Sequence, residues 1–196
     1  MLPIKAGDRV LVLGVSHRLT KSLDAAGCSV LTAVAPHEHD QTGQVAGEVV
    51  VTTGSLPCGD ARFDHVLVPL LQAEHVPLVP GELARVLRPD GGLFLGMSYR
   101  LRSRARPGTT IRRGRHLLEG NGFTRVSVYG VTRNLETPRY LVPLDSPALM
   151  TWFLSTTYLP QTTKGAFASQ ILGAAAHLRL PPLLFPDLGF VARREA

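Results

Sequence analysis

The stretch that decides the fold is Glu82-Leu83-Ala84-Arg85-Val86-Leu87-Arg88-Pro89-Asp90-Gly91-Gly92-Leu93-Phe94-Leu95. Leu83, Val86 and Leu87 stand three and four positions apart, which gives a helix one apolar stripe. Arg88 suits the negative end of such a helix, and Pro89 followed by Asp90-Gly91-Gly92 forbids its continuation. Leu93 to Met97 then reads as a short buried strand. The expectation is a helix over residues 74–88, a tight turn, and a strand over 93–97.

The same rhythm runs outward from this stretch. Arg9 to Gly14 is a leucine and β-branched run ending at glycine, as a buried parallel strand does. Leu19 to Ala26 reads as a helix with Leu19 and Leu23 on one face and Gly27 as its stop, and Ser29 to Val34 as a second strand. That βαβ unit favours a parallel sheet. Further strands are expected over 48–52, over Phe63 to Val68, and from Gly122-Phe123 through Tyr129, with a helix ending at 116–120. Beyond Pro138 the pattern changes, with helix candidates over 147–157 and 164–178 before a last strand over 188–193. The chain of 196 residues is read as one domain, since a domain takes roughly 100 to 200 residues.

Apolar content of 44% and charged content of 18% place the chain with soluble globular proteins. No apolar run approaches the ~20 residues of a membrane span. The N-terminus lacks the long apolar region of a signal peptide, so a cytoplasmic location is expected. Cys28 and Cys58 show no metal-ligand spacing and read as small core residues. The net charge of +6 is local. Arg100, Arg102, Arg104, Arg106, Arg112, Arg113 and Arg115 fall within sixteen residues that hold no carboxylate, and without them the rest of the chain is close to neutral.

The string from Arg85 to Leu95 resembles the approach to the fifth strand of class I S-adenosylmethionine-dependent methyltransferases. Gly7 to Gly14 is similar to the first motif of that family, Phe63-Asp64-His65-Val66-Leu67 to its fourth strand, and Gly120-Asn121-Gly122-Phe123 to the start of its sixth. The resemblance covers roughly residues 7–130 and the final strand. It implies an α/β fold with a doubly wound, mainly parallel, seven-stranded sheet, in which residues 137–187 form a helical insertion between the last two strands.

The resemblance also locates a cofactor pocket at Gly14, Ser16, Arg18, Ala35, Leu56 and Asp64, and there the sequence departs from the family. Val12 stands where the first strand usually carries an acid, and Ser16 and Arg18 stand where the turn usually carries glycines. No carboxylate closes the second strand at Val34-Ala35-Pro36, although Glu38 and Asp40 follow, and Thr52-Thr53 replaces the acid near the adenine. Loss of two such acids lowers affinity by roughly 3 to 6 kcal/mol if nothing compensates. Arg18 also repels a sulfonium cation. The remodelled pocket is either filled, with Arg18 paired to Glu38, Asp40 or Asp64, or converted to an anion site at the start of the Leu19 helix with His17.

Other groups carry less. His37-Glu38-His39-Asp40 is dense in ligand types, but neighbours in an extended loop point to alternate sides, so no metal site is expected. His65 is a weak candidate for a general base. The alternating Arg100, Arg102, Arg104 and Arg106 share one face if extended, and the segment 100–115 suits an acidic protein partner. Nucleic acid is disfavoured because only Tyr99 offers stacking. The apolar segment 147–178 suits a homo- or hetero-oligomeric contact or a lid. The leading expectation is a methyltransferase-like protein with a degraded cofactor site, binding S-adenosylmethionine weakly or not at all, and acting as a non-catalytic partner subunit in a modification or biosynthetic complex. The alternatives are an active methyltransferase on a small molecule or a glycan- or lipid-linked substrate, and an anion or nucleic-acid binding module built on the arginine strip.

Overall fold

The computed structural model describes residues 2–14, 16–34, 48–50, 55–69, 80–98, 109–133, 135, 138–153, 156 and 185–196. In chain order the elements are β1 (Arg9–Leu13), α1 (His17–Ala25), β2 (Ser29–Val34), β3 (Glu48–Val50), β4 (Phe63–Val68), α2 (Pro80–Val86), β5 (Leu87–Ser98), α3 (Ile111–Glu119), β6 (Phe123–Val131), β7 (Leu141–Pro143), α4 (Pro147–Phe153) and β8 (Asp187–Arg194).

One sheet holds all the strands, in the order β3-β2-β1-β4-β5-β8-β6-β7. From β3 to β5 the pairs are parallel, with Val10 beside Val30 on one side and His65 on the other. β8 inserts antiparallel between β5 and β6. The alternation of side chains along each strand sends Leu11 and Leu13 to one face and Val10 and Val12 to the other. The first face packs under Leu83 and Val86 of α2 and Leu118 of α3, and the second under Leu19 and Leu23 of α1. This is the doubly wound arrangement that the sequence implied. α3 lies so close to the sheet that a Cβ on Gly114 would stand 2.3 Å from the Phe190 ring.

Three local features differ from the sequence reading. The helix expected to run through residue 88 ends at Val86, and Leu87 already pairs with Phe63 in β5. The turn at 89–92 is enclosed within β5 as a bulge, because Phe63 and His65 of β4 face Leu87 and Gly92, so that one intervening residue of β4 stands against four of β5. Asp90 takes the left-handed conformation there, with φ of +60°. The bulge is held by Arg88 Nη1 donating to Asp64 Oδ1 at 2.6 Å and by Arg193 Nη1 donating to Asp90 O at 2.9 Å. Hydrophobic spacing cannot distinguish a turn between elements from a bulge inside one.

Beyond the seven anticipated strands there is an eighth, β7, whose three residues pair with β6 at the sheet edge. It lies in the segment read as a helical insertion, whose first helix is present as α4. Val142, Met150, Phe153 and Phe185 close a small separate core beside this edge. The expected helix over 164–178, the arginines at 100–106 and the cluster His37 to Asp40 lie outside the described residues.

Candidate functional site

The strand order turns back on itself at β1, which pairs with β2 on one side and β4 on the other. In open α/β sheets a crevice for ligands opens at such a point, beyond the carboxyl ends of the strands. At that position β1, fully buried from Val10 to Val12, runs out at Gly14. Its φ of +84° is a conformation that glycine adopts without strain, and nothing stands within 4 Å of where a Cβ would be. The Gly14 N–H donates to Ala33 O at 2.9 Å, fixing the turn to β2. Ser16 then opens α1 without a side-chain cap, and there is no acid in the first turn of the helix. The first amides of α1 and the exposed Arg18 are therefore positive groups at this mouth, with no acid beside them among the described residues of α1's first turn.

Val12, where the family has an acid, is 0% exposed and packs with Leu23 and Leu67 under α1. Arg18 makes no ion pair with another described residue. Of its three anticipated partners, Glu38 and Asp40 are outside the described residues, as is Ala35. The third, Asp64, does not reach it. Asp64 is the second residue of β4, level with Arg9 at the start of β1, whereas Gly14 lies five residues further along, about 16 Å at the rise of a parallel strand. Its oxygens accept from Arg88 Nη1 at 2.6 Å and from the Arg9 N–H at 2.8 Å. Asp64 thus belongs to the amino edge of the sheet and not to the pocket at Gly14.

His65 is displaced for the same reason. It is 5% exposed, with Nε2 at 3.1 Å from Asp8 Oδ2 and Nδ1 buried without a partner. A Cβ on Gly92 would stand 2.7 Å from that Nδ1, so the ring fills the space the glycine leaves. It lines a cleft of about 240 Å³ at the amino edge, where Lys5, Arg88 and Arg193 are matched by Asp8, Asp64 and Asp90. Asp8 and Arg9 tie the start of the chain to β4, Arg88 ties β5 to β4, and Arg193 ties β8 to β5. A base here cannot serve a substrate at the opposite edge. The signal was present in the sequence, since Asp64 and His65 directly follow the turn that opens β4.

Leu56 introduces a network that the sequence reading missed. Its N–H donates to Glu82 Oε1 at 2.8 Å and its carbonyl accepts from Arg85 Nη2 at 3.1 Å. Arg85 further donates from Nε to Glu82 Oε2 at 2.9 Å and from Nη1 to Cys58 O at 2.9 Å and to Asp60. One acid and one base, three positions apart on α2, thereby clamp the backbone of residues 55–60. The Arg85 hydrogen bond, aided by the Leu56 N–H and opposed by burial, pulls the Glu82 carboxyl down to about 2. The hydrogen bonds to Glu82 and then Asp60 hold the Arg85 guanidinium above its ordinary range. The i, i+3 spacing of Glu82 and Arg85 was the available signal, since residues so placed are neighbours on a helix.

Among the described residues no group of three or more histidine, cysteine, aspartate or glutamate side chains could hold a metal ion. No described helix is long and apolar enough to cross a membrane.

Neither a protein-family model nor the sequence of a curated protein matches the chain. Solved structures do. A Haloferax volcanii methyltransferase, solved in complex with the Trm112 methyltransferase activator, aligns over 100% of this chain and 86% of its own at 16% identity and TM-score 0.62. A Thermotoga maritima S-adenosylmethionine-dependent methyltransferase, a possible histamine N-methyltransferase, aligns over 100% and 84% at 12% identity and TM-score 0.58. The chain spans half of the longer Haemonchus contortus phosphoethanolamine N-methyltransferase 2, solved with S-adenosylmethionine, at 15% identity and TM-score 0.57. The fold is that of the class I S-adenosylmethionine-dependent methyltransferases.

Proposed function

We propose that this chain is a methyltransferase-fold protein whose cofactor site has degenerated, and that it acts as a non-catalytic partner subunit in a modification or biosynthetic complex. One observation carries the reading. At the mouth beyond β1 the position for an acid is occupied by the sealed Val12, while Arg18 stands exposed on the first turn of α1. A sulfonium cation meets positive charge there without a described carboxylate to offset it, and the described residues do not fit the cofactor. The Haloferax neighbour, which is complexed with an activator protein, supports a role in which this fold works through a partner.

Isothermal titration with S-adenosylmethionine tests the reading. The expected result is no heat of binding at micromolar protein. A dissociation constant in the micromolar range retires it and favours the second reading, an active methyltransferase with an atypical pocket on a small molecule or a glycan- or lipid-linked substrate. That second reading is supported by Gly14, which keeps the positive φ and open approach that a nucleoside cofactor uses.

A further inference from the structure

α3 has two unlike faces. Gly114 and Leu118 are buried against the sheet, and Arg112, Arg113, His116 and Leu117 are exposed together on the other side. A spacing of four residues makes 112 and 116, and 113 and 117, neighbours on that face. Arg115 is not part of it, because Nη2 donates to Asp145 Oδ1 at 2.7 Å. Neither Arg112 nor Arg113 forms an ion pair with another described residue, and the acid on the outer side of the helix is Glu119 in its last turn.

This arrangement opposes local stability. The amino end of a helix is positive and favours acids, yet the first turn of α3 carries two arginines and no acid. The capping Thr110 hydroxyl, which accepts from the Arg113 N–H at 3.3 Å, does nothing to neutralise them. The same imbalance extends through the sequence, where residues 100–115 hold seven arginines and no carboxylate. A bare surface gains nothing from this; a negatively charged partner does.

We infer that the exposed face of α3 docks an acidic segment of a partner protein, with Leu117 as its apolar contact. The inference rests on the partner-subunit reading and names the surface for it. Leu117, 37% exposed and one turn beyond Arg113, favours protein over nucleic acid. A phosphate backbone has no use for an apolar contact among the arginines, and the face carries no phenylalanine, tyrosine or tryptophan ring for base stacking. Arginine in place of lysine fits the same partner, since its planar fork matches carboxylate pairs and arginine is enriched at protein interfaces.

The test uses the full chain and two labelled probes followed by fluorescence anisotropy, a synthetic peptide repeating Glu-Glu-Leu and a single-stranded RNA of equal charge. The peptide is expected to bind more tightly than the RNA and to weaken as salt rises. Reversing both arginines, Arg112→Glu with Arg113→Glu, lowers peptide affinity roughly tenfold or more, while Leu117→Ala lowers it several-fold and Lys21→Glu on α1 leaves it unchanged. The charge-reversed variant stays folded, since acids suit that end of the helix, and its melting temperature verifies this. RNA binding as tight as the peptide, no binding of the peptide, or equal peptide affinity in the charge-reversed variant overturns the inference. Calorimetry with S-adenosylmethionine reads the cofactor site alone, so failure of the partner-subunit reading is seen separately from failure of this surface.

Discussion

Replacing Glu82 with glutamine dissects the clamp that holds residues 55–60. In the folded protein its carboxyl is drawn from the ordinary 4.5 to about 2, chiefly by the hydrogen bond from Arg85. A displacement of that size is worth about 3 kcal/mol at 1.36 kcal/mol per pH unit. Breaking a well-buried pair by removing one member costs about 3 to 5 kcal/mol and an exposed one under about 1. Glu82 is 14% exposed and Arg85 32%, so the pair falls between these limits and Glu82→Gln is expected to cost about 2 to 3 kcal/mol at pH 7.

The pH dependence has a definite sign. Because the folded carboxyl is the more acidic, the unfolded chain binds more protons between pH 4.5 and about 2. The stabilisation is therefore complete above pH 4.5 and is lost as the pH falls toward 2. Urea unfolding of wild type and variant, followed by circular dichroism at pH 7, 5 and 3.5, measures it. The difference between the proteins should be equal at pH 7 and 5 and clearly smaller at 3.5. A difference that does not change with pH, or one below about 0.5 kcal/mol at pH 7, refutes the reasoning, since either result means that Glu82 is not held as an anion by Arg85.

Gly114→Ala places a Cβ 2.3 Å from the Phe190 ring; despite the better helix propensity of alanine, the overpacking should cost about 1 to 3 kcal/mol in urea unfolding, and an unchanged or raised stability would contradict the packing of α3 on β8. Asp90→Gly relieves a φ of +60° and should raise stability by about 0.5 kcal/mol; a loss of stability would mean that the Asp90 side chain, not its backbone shape, matters in the bulge. Burial pushes the thiols of both Cys28 and Cys58 above their ordinary range, so iodoacetamide at pH 8 should label them far more slowly in the native protein than in urea. Rapid native labelling of the buried Cys28 would show that the core under α1 opens readily.

Most of the sheet was legible in the sequence because β1, β2 and β4 read directly as apolar runs ending at or just before glycine or proline, and β1, β2, β4 and β6 begin within a residue of where the pattern places them. β7 was not legible, since three residues ending in Pro143 carry too short a pattern to stand out from a loop. The bulge in β5 was invisible for a different reason: Pro89-Asp90-Gly91-Gly92 announces a turn, and only pairing with β4 on both sides of it makes the turn an excursion within one strand.

The site divided in the same way. Local sequence determined the turn at Gly14, the missing acid at Val12 and the cation at Arg18, because each of these depends on what one position can adopt or carry. Tertiary structure decided which of the chosen residues meet. Asp64 and His65 went to the amino edge with Asp8 and Arg88, about 16 and 13 Å from Gly14. Glu82 and Arg85, read from sequence as parts of a helix, became the clamp on Leu56 and Cys58. Periodicity fixes which face of an element is buried, but the neighbour that a charged side chain finds depends on register and strand order, and these are set by contacts between residues far apart in the chain.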